Sequence, residues 1–141
     1  MKKISFHLLF IIISVMSFAQ DSWKVHHNKI EVLNTSTSDP VQNVITLKQA
    51  DLIAHGDFVV NYNEDKLQKN WIRYMGVYDG AENMVVQIKG ATILKLPNKT
   101  LKDLLAMNSI LKIFTWTLPT DPELAARIRV RRLHLCTIEL K

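Results

Sequence analysis

The chain has 141 residues, 48% of them hydrophobic and 22% charged, with a formal net charge of +5. That is enough for one domain with a real core, and it is too weakly basic for a dedicated nucleic-acid binder. The lone cysteine, Cys136, excludes an internal disulfide and sets the chain apart from bridge-dense secreted domains.

The N-terminus reads first. Met1-Lys2-Lys3 is a short basic start, and Leu8 to Phe18 is an apolar run broken only by Ser14 and Ser17. Ser17-Phe18-Ala19 then places small residues at both cleavage-recognition positions. This is the pattern of a secretory signal peptide. The run is shorter than the roughly 20 apolar residues that a stable membrane span needs. The expected organisation is a signal peptide over 1–19 and a single domain over 20–141. That domain is expected in the bacterial periplasm or medium, with no transmembrane span in the mature chain. Residues 21–100 hold nine basic and nine acidic side chains, and residues 101–141 hold seven and four. With Lys2 and Lys3 removed, the whole positive surplus therefore sits in the last third of the chain.

The dominant period from Ser22 onward is two, the period of strands. Residues 22–33 read as a strand or a tight pair with a break near Asn28, followed by a polar loop from Thr35 to Pro40. Val44 to Leu47 is a second strand candidate. Ala54 to Asp57 is a turn, and Phe58 to Tyr62 is β-branched and aromatic, hence strand-like. Trp71 to Tyr78 and Met84 to Ile88 flank a turn of hairpin length at Asp79 to Glu82. Gly90 marks a bulge or kink before a strand over Thr92 to Leu96.

A helix is signalled by Leu101, Leu104 and Leu105, with Thr100 and Asp103 as a variant capping box and Asn108-Ser109 as its close. Ile110 to Leu118 alternates as a strand. Asp121 caps a short second helix with Pro122 in its first position. Strand alternation is then expected from Arg127 to Leu140. In that strand Arg127, Arg129 and Arg131 share a face with Leu133 and Leu135. Either a bulge at Arg131-Arg132 restores one apolar face, or the Leu101–Leu105 helix covers the two leucines. The pattern as a whole predicts a mainly β protein. Its form is a single antiparallel β-sandwich, or an open barrel, of about 7–9 strands with one or two short helices.

Candidate chemistry is sparse. His134 and Cys136 are two apart and point the same way in a regular strand. They suit either an activated thiol or, more simply, a thiol packed as a small hydrophobe beside a half-buried imidazole. His26 and His27 fall on opposite strand faces, one exposed and one packed. A copper site drawing on them with His134 and Cys136 requires the first and last strands to be neighbours. Asp79, Glu82 and Asn83, and Asn61 to Asp65, carry oxygens but do not follow the spacing of a calcium loop. Trp71, Tyr74 and Tyr78 offer either core packing or a flat platform for a sugar ring. No Gly-rich phosphate loop, His-Glu-x-x-His or Gly-x-Ser-x-Gly is present. No catalytic residue, cofactor or metal ligand is assigned.

The remaining feature is the cluster Arg127, Arg129, Arg131 and Arg132. On a strand, alternate arginines stand about 7 Å apart, a ladder suited to carboxylates, sulfates or phosphates. Arginine at all four positions favours bidentate contact over bare solubility. The functional expectation is an exported, non-catalytic binding domain. It contacts an acidic protein, polysaccharide or lipid head group through these arginines. The alternatives are a structural or assembly component of the envelope and an enzyme using the His134–Cys136 pair.

Overall fold

Strand alternation builds nine strands in the computed structural model, which describes residues 20–141. The signal-peptide expectation concerns residues 1–19 and lies outside the described residues. The strands are β1 (Ser22–His27), β2 (Ile30–Thr35), β3 (Val44–Leu47), β4 (Asp57–Asn63), β5 (Trp71–Asp79), β6 (Met84–Lys89), β7 (Ile93–Pro97), β8 (Ile110–Pro119) and β9 (Leu133–Leu140). Two helices join them, α1 (Asn98–Met107) and α2 (Pro122–Arg127), with one 3-10 turn at Gln49–Asp51.

The strands form a four-stranded sheet ordered β2-β1-β4-β7 and a five-stranded sheet ordered β3-β9-β8-β5-β6. Neither closes into a barrel, so the sandwich is the form adopted. Every pairing is antiparallel except β3 with β9, which run parallel with Val44 opposite Thr137. Residues 36–43 carry the chain from β2, at the edge of one sheet, to β3, at the edge of the other.

The inner faces supply the core. Trp23 and Val25 of β1, Phe58 and Val60 of β4, and Leu94 and Leu96 of β7 face Met75 and Val77 of β5, Leu111 and Ile113 of β8, and Leu135, Cys136 and Ile138 of β9. Fully burying one such leucine or phenylalanine contributes about 1.5–3 kcal/mol before chain entropy is counted. Trp23 also spans the two layers: its indole N–H donates to the Leu135 carbonyl oxygen at 2.9 Å.

The end of the sandwich where β1 turns into β2 is closed by polar bonds and by α1. Asn28 and Lys29 both have positive φ, 51° and 69°, as a two-residue hairpin turn with the strands' twist requires. Asn98, the first residue of α1, is 1% exposed. Its amide N–H groups donate to Asn28 Oδ1 at 2.9 Å and to the Ile53 carbonyl at 3.0 Å, and its Oδ1 lies 3.1 Å from His27 Nε2. This node replaces the predicted Thr100 cap. The helix starts three residues earlier, after Pro97, and no side chain caps it. Asn98-Lys99-Thr100 also resembles a glycan acceptor, but the burial of Asn98 removes it from that role. Leu101 and Leu105 then seat α1 on the core.

Candidate functional site

The outer face of the five-stranded sheet is aromatic. Side chains of β5 and β8 alternate, so Tyr74, Gly76 and Tyr78 share this face with Phe114 and Trp116, paired Tyr74 to Trp116 and Gly76 to Phe114. Tyr74 and Trp116 stack with ring centroids 5.8 Å apart, while Tyr78 meets Phe114 edge-on at 5.3 Å. Gly76 is the floor under Trp116: a Cβ there would press into the indole ring. These rings are largely turned to one another, and Trp116 and Tyr78 are each 7% exposed. Of the two readings of Tyr74 and Tyr78, packing is the one adopted, as an aromatic layer on the outside of the sheet.

The arginine segment crosses this layer, and here the structure corrects the sequence reading. The final strand begins at Leu133, not Arg127. Arg127 closes α2, and residues 128–132 form an irregular connection. Asp121 caps α2 as expected, accepting from the Glu123 backbone N–H at 3.0 Å, and the helix persists far enough to absorb Arg127. No strand-face ladder therefore exists. Arg129, Arg131 and Arg132 instead line one open groove of about 630 Å³ with Val130, Phe114 and Glu82, while Arg127 lies outside it.

Arg132 anchors the segment. Its guanidinium sits 4.6 Å from the Tyr78 ring centroid and 5.0 Å from that of Phe114, and it donates to Glu82 Oε2 at 3.3 Å. Each ring contact is worth about 0.5–1 kcal/mol at a half-exposed site, and the ion pair less than about 1. Lys112 approaches the other Glu82 oxygen at 3.7 Å. Other acids are engaged elsewhere: Asp57 pairs with Lys95, Glu64 with Arg73, and Asp121 caps α2. Among the described residues Arg127, Arg129 and Arg131 are exposed and make no ion pair.

The bulge that the last strand needs lies within it. Ile113 pairs with Cys136 and Phe114 with His134, so Leu135 is the extra residue. Neither a bulge at Arg131-Arg132 nor a cover by α1, which packs on β4, β7 and β8, is what resolves the register. The extra residue also separates His134 from Cys136. Cys136 enters the core at 0% exposure, where burial pushes its thiol well above the ordinary range. His134 faces outward, edge-on to Phe114 at 5.4 Å, with Nε2 2.9 Å from Thr137 Oγ1. A thiolate activated by this imidazole has no geometric basis. Cys136→Ser is expected to cost about 1–2 kcal/mol by placing a hydroxyl in an apolar site. Denaturant titration would measure that loss, and Cys136 in the folded parent should resist a thiol reagent.

His134 predicts a pH dependence. Burial, with Lys112 nearby, holds its imidazole below the ordinary histidine range, against a smaller opposing pull from Asp39. Its Nδ1 is buried without a partner, so a proton added there finds no acceptor. The unfolded chain therefore binds this proton more readily than the folded one. The contribution is intact above the unfolded value near 6.5 and is lost as pH falls toward the folded value. Thermal midpoints should fall between about pH 7 and pH 5. The drop should be smaller in His134→Gln.

Other sequence candidates separate in space. His27 is buried and His26 is half-exposed beside Glu31, and β1 and β9 lie in opposite sheets. Asp79 binds its own turn, accepting from the Asn83 backbone N–H at 2.8 Å and from its side-chain amide at 3.0 Å. Those bonds hold the Asp79 carboxyl below the ordinary range. No helix of the described residues is long and apolar enough to cross a membrane. Comparison with protein families, curated proteins and solved structures finds no match to this chain.

Proposed function

We propose that the protein is an exported, non-catalytic binding domain whose contact surface is the arginine segment 127–132 and whose partner is acidic. One observation carries this reading. Arg132 is held on Tyr78 and Phe114, whereas Arg127 at the end of α2 and Arg129 and Arg131 in the irregular segment after it are exposed with no acidic partner among the described residues. An ion-pair network internal to the fold would have matched them, as Glu64 matches Arg73. Unmatched guanidinium groups keep their planar donor forks for carboxylate, sulfate or phosphate. An acidic polysaccharide, an anionic head group or an acidic protein surface presents such groups. Export follows from the sequence pattern of residues 1–19.

The test replaces Arg127, Arg129 and Arg131 together with glutamine and compares retention on a sulfated polysaccharide across salt concentrations. Exposed charge contacts are screened over about 10 Å at 0.1 M salt. Parent binding should fall steeply with salt, and the triple variant should bind weakly and with a shallow dependence. Equal binding at every salt concentration, with the fold intact, would remove the segment from the function.

A role in envelope assembly is favoured by one separate observation. The edge strands β2 and β3 flank a groove of about 400 Å³, beside which Ile30 is 68% and Val32 40% exposed. Unpaired edges are templates for pairing between chains. Size-exclusion chromatography at increasing protein concentration separates the readings: a growing oligomer supports assembly, and a constant monomer supports the binding domain.

A further inference from the structure

The opposite side of the five-stranded sheet holds a second site at the end of the sandwich away from the His27–Asn98 node. Arg73 lies on the inner face of β5, stacked 4.5 Å from the Tyr62 ring centroid. Its Nε–H donates to Glu64 Oε1 at 2.7 Å, an Nη2–H donates to the same oxygen, and an Nη1–H donates to Thr115 Oγ1 at 2.8 Å. Both charged side chains are only 10% exposed.

The donor and acceptor count of this pair is incomplete. A guanidinium has five N–H groups, and three are used here. A carboxylate has two oxygens, and both arginine bonds fall on Oε1, which leaves Glu64 Oε2 without a protein partner. That unmatched oxygen belongs to a residue that lines two adjoining cavities, of about 290 and 220 Å³, which share Glu64, Leu67, Trp71 and Arg73. Lys66, Gln68 and Thr117 complete the first cavity, and Ile72 with Gly90 to Thr92 the second. Trp71 stands two residues before Arg73 on the same strand face, half-buried and bordering both cavities.

We infer that this cleft binds an uncharged sugar residue. Glu64 and Arg73 cancel in charge in the buried part of the cleft, and Lys66 is an exposed, solvated charge on its rim, so the cleft holds no cluster of cations like the arginine segment. It offers acceptors and donors side by side, the pattern that vicinal hydroxyls match, since each hydroxyl both donates and accepts. Glu64 Oε2 accepts a hydrogen bond from one hydroxyl, and the free Arg73 N–H groups and the Thr117 hydroxyl donate to the sugar oxygens. The indole of Trp71 covers the apolar face of the ring. Together the two cavities reach the size range of small-molecule sites. The inference does not rest on the role of the arginine segment.

The test titrates the protein with cellotriose, maltotriose and chitotriose and follows the Trp71 indole N–H by NMR. Dissociation constants on the order of 1 mM are expected for a site of this size. Saturable movement of the Trp71 signal with at least one trisaccharide, lost in Trp71→Ala and weakened about tenfold in Glu64→Gln, supports the site. The Trp116 indole should stay still. Should Glu64→Gln fail to fold, Thr117→Val serves in its place, with binding weakened several-fold. The inference is overturned if no trisaccharide moves the Trp71 signal at about 50 mM, or if binding persists unchanged in Trp71→Ala.

Discussion

Arg73→Leu is expected to destabilise the folded domain by about 3–5 kcal/mol, because it strands the Glu64 carboxylate in a buried position. Both side chains are 10% exposed, so water does little to compensate. The loss spreads further. Thr115 loses the guanidinium it accepts from, and the Tyr62 ring loses its stacked cation. Tyr62 is itself tied to Asp21, to which its hydroxyl donates at 2.6 Å, and burial with that bond raises its hydroxyl well above the ordinary range. Asp21 also accepts from the Asp65 backbone N–H at 2.8 Å, so the network holds the start of β1 against the β4–β5 connection. Chemical denaturation measures the effect. The double variant Arg73→Leu, Glu64→Leu should recover much of it, since two apolar groups leave no orphaned charge.

Gly56→Ala is expected to cost about 2–3 kcal/mol, through steric overlap and not through backbone conformation. A Cβ at this position would meet the side-chain oxygen of Asn28 and the amide nitrogen of Asn98. Those two atoms are bonded to each other at 2.9 Å, and the Gly56 carbonyl accepts from the Asn98 backbone N–H at 3.0 Å. Admitting the methyl group means opening the node that fastens the β1–β2 turn to α1, which leaves buried polar groups unmatched. A fall in thermal midpoint with unchanged binding at the arginine segment is the expected result. An unchanged midpoint would mean that the node is loose.

Much of the fold was legible because it follows from local rules. Alternation located β4, β5 and β8 to within a residue or two, and Asp121-Pro122 marked the start of α2. The failures share a cause. Whether Arg127 continues a helix or opens a strand depends on what its neighbours touch, and the contacts of Arg132 with Tyr78 and Phe114 span 54 and 18 positions. The bulge at Leu135 has no composition of its own. It is set by the demand that Leu135, Cys136 and Ile138 all enter the core. The arginines stood out by residue type alone, whereas the Glu64–Arg73 pair gave no signal. Both residues are ordinary in loop and strand, and only folding removes them from water.

The proposed contact between the arginine segment and an acidic partner is open to a residue-level test. The labelled protein is titrated with a short sulfated oligosaccharide and read residue by residue by NMR. Saturable shifts are expected at Arg127, Arg129, Arg131 and Arg132, extending to Phe114 and Glu82 in the groove and fading as salt is added. Shifts that bypass this segment, or no saturable shift at low salt, would rule the contact out.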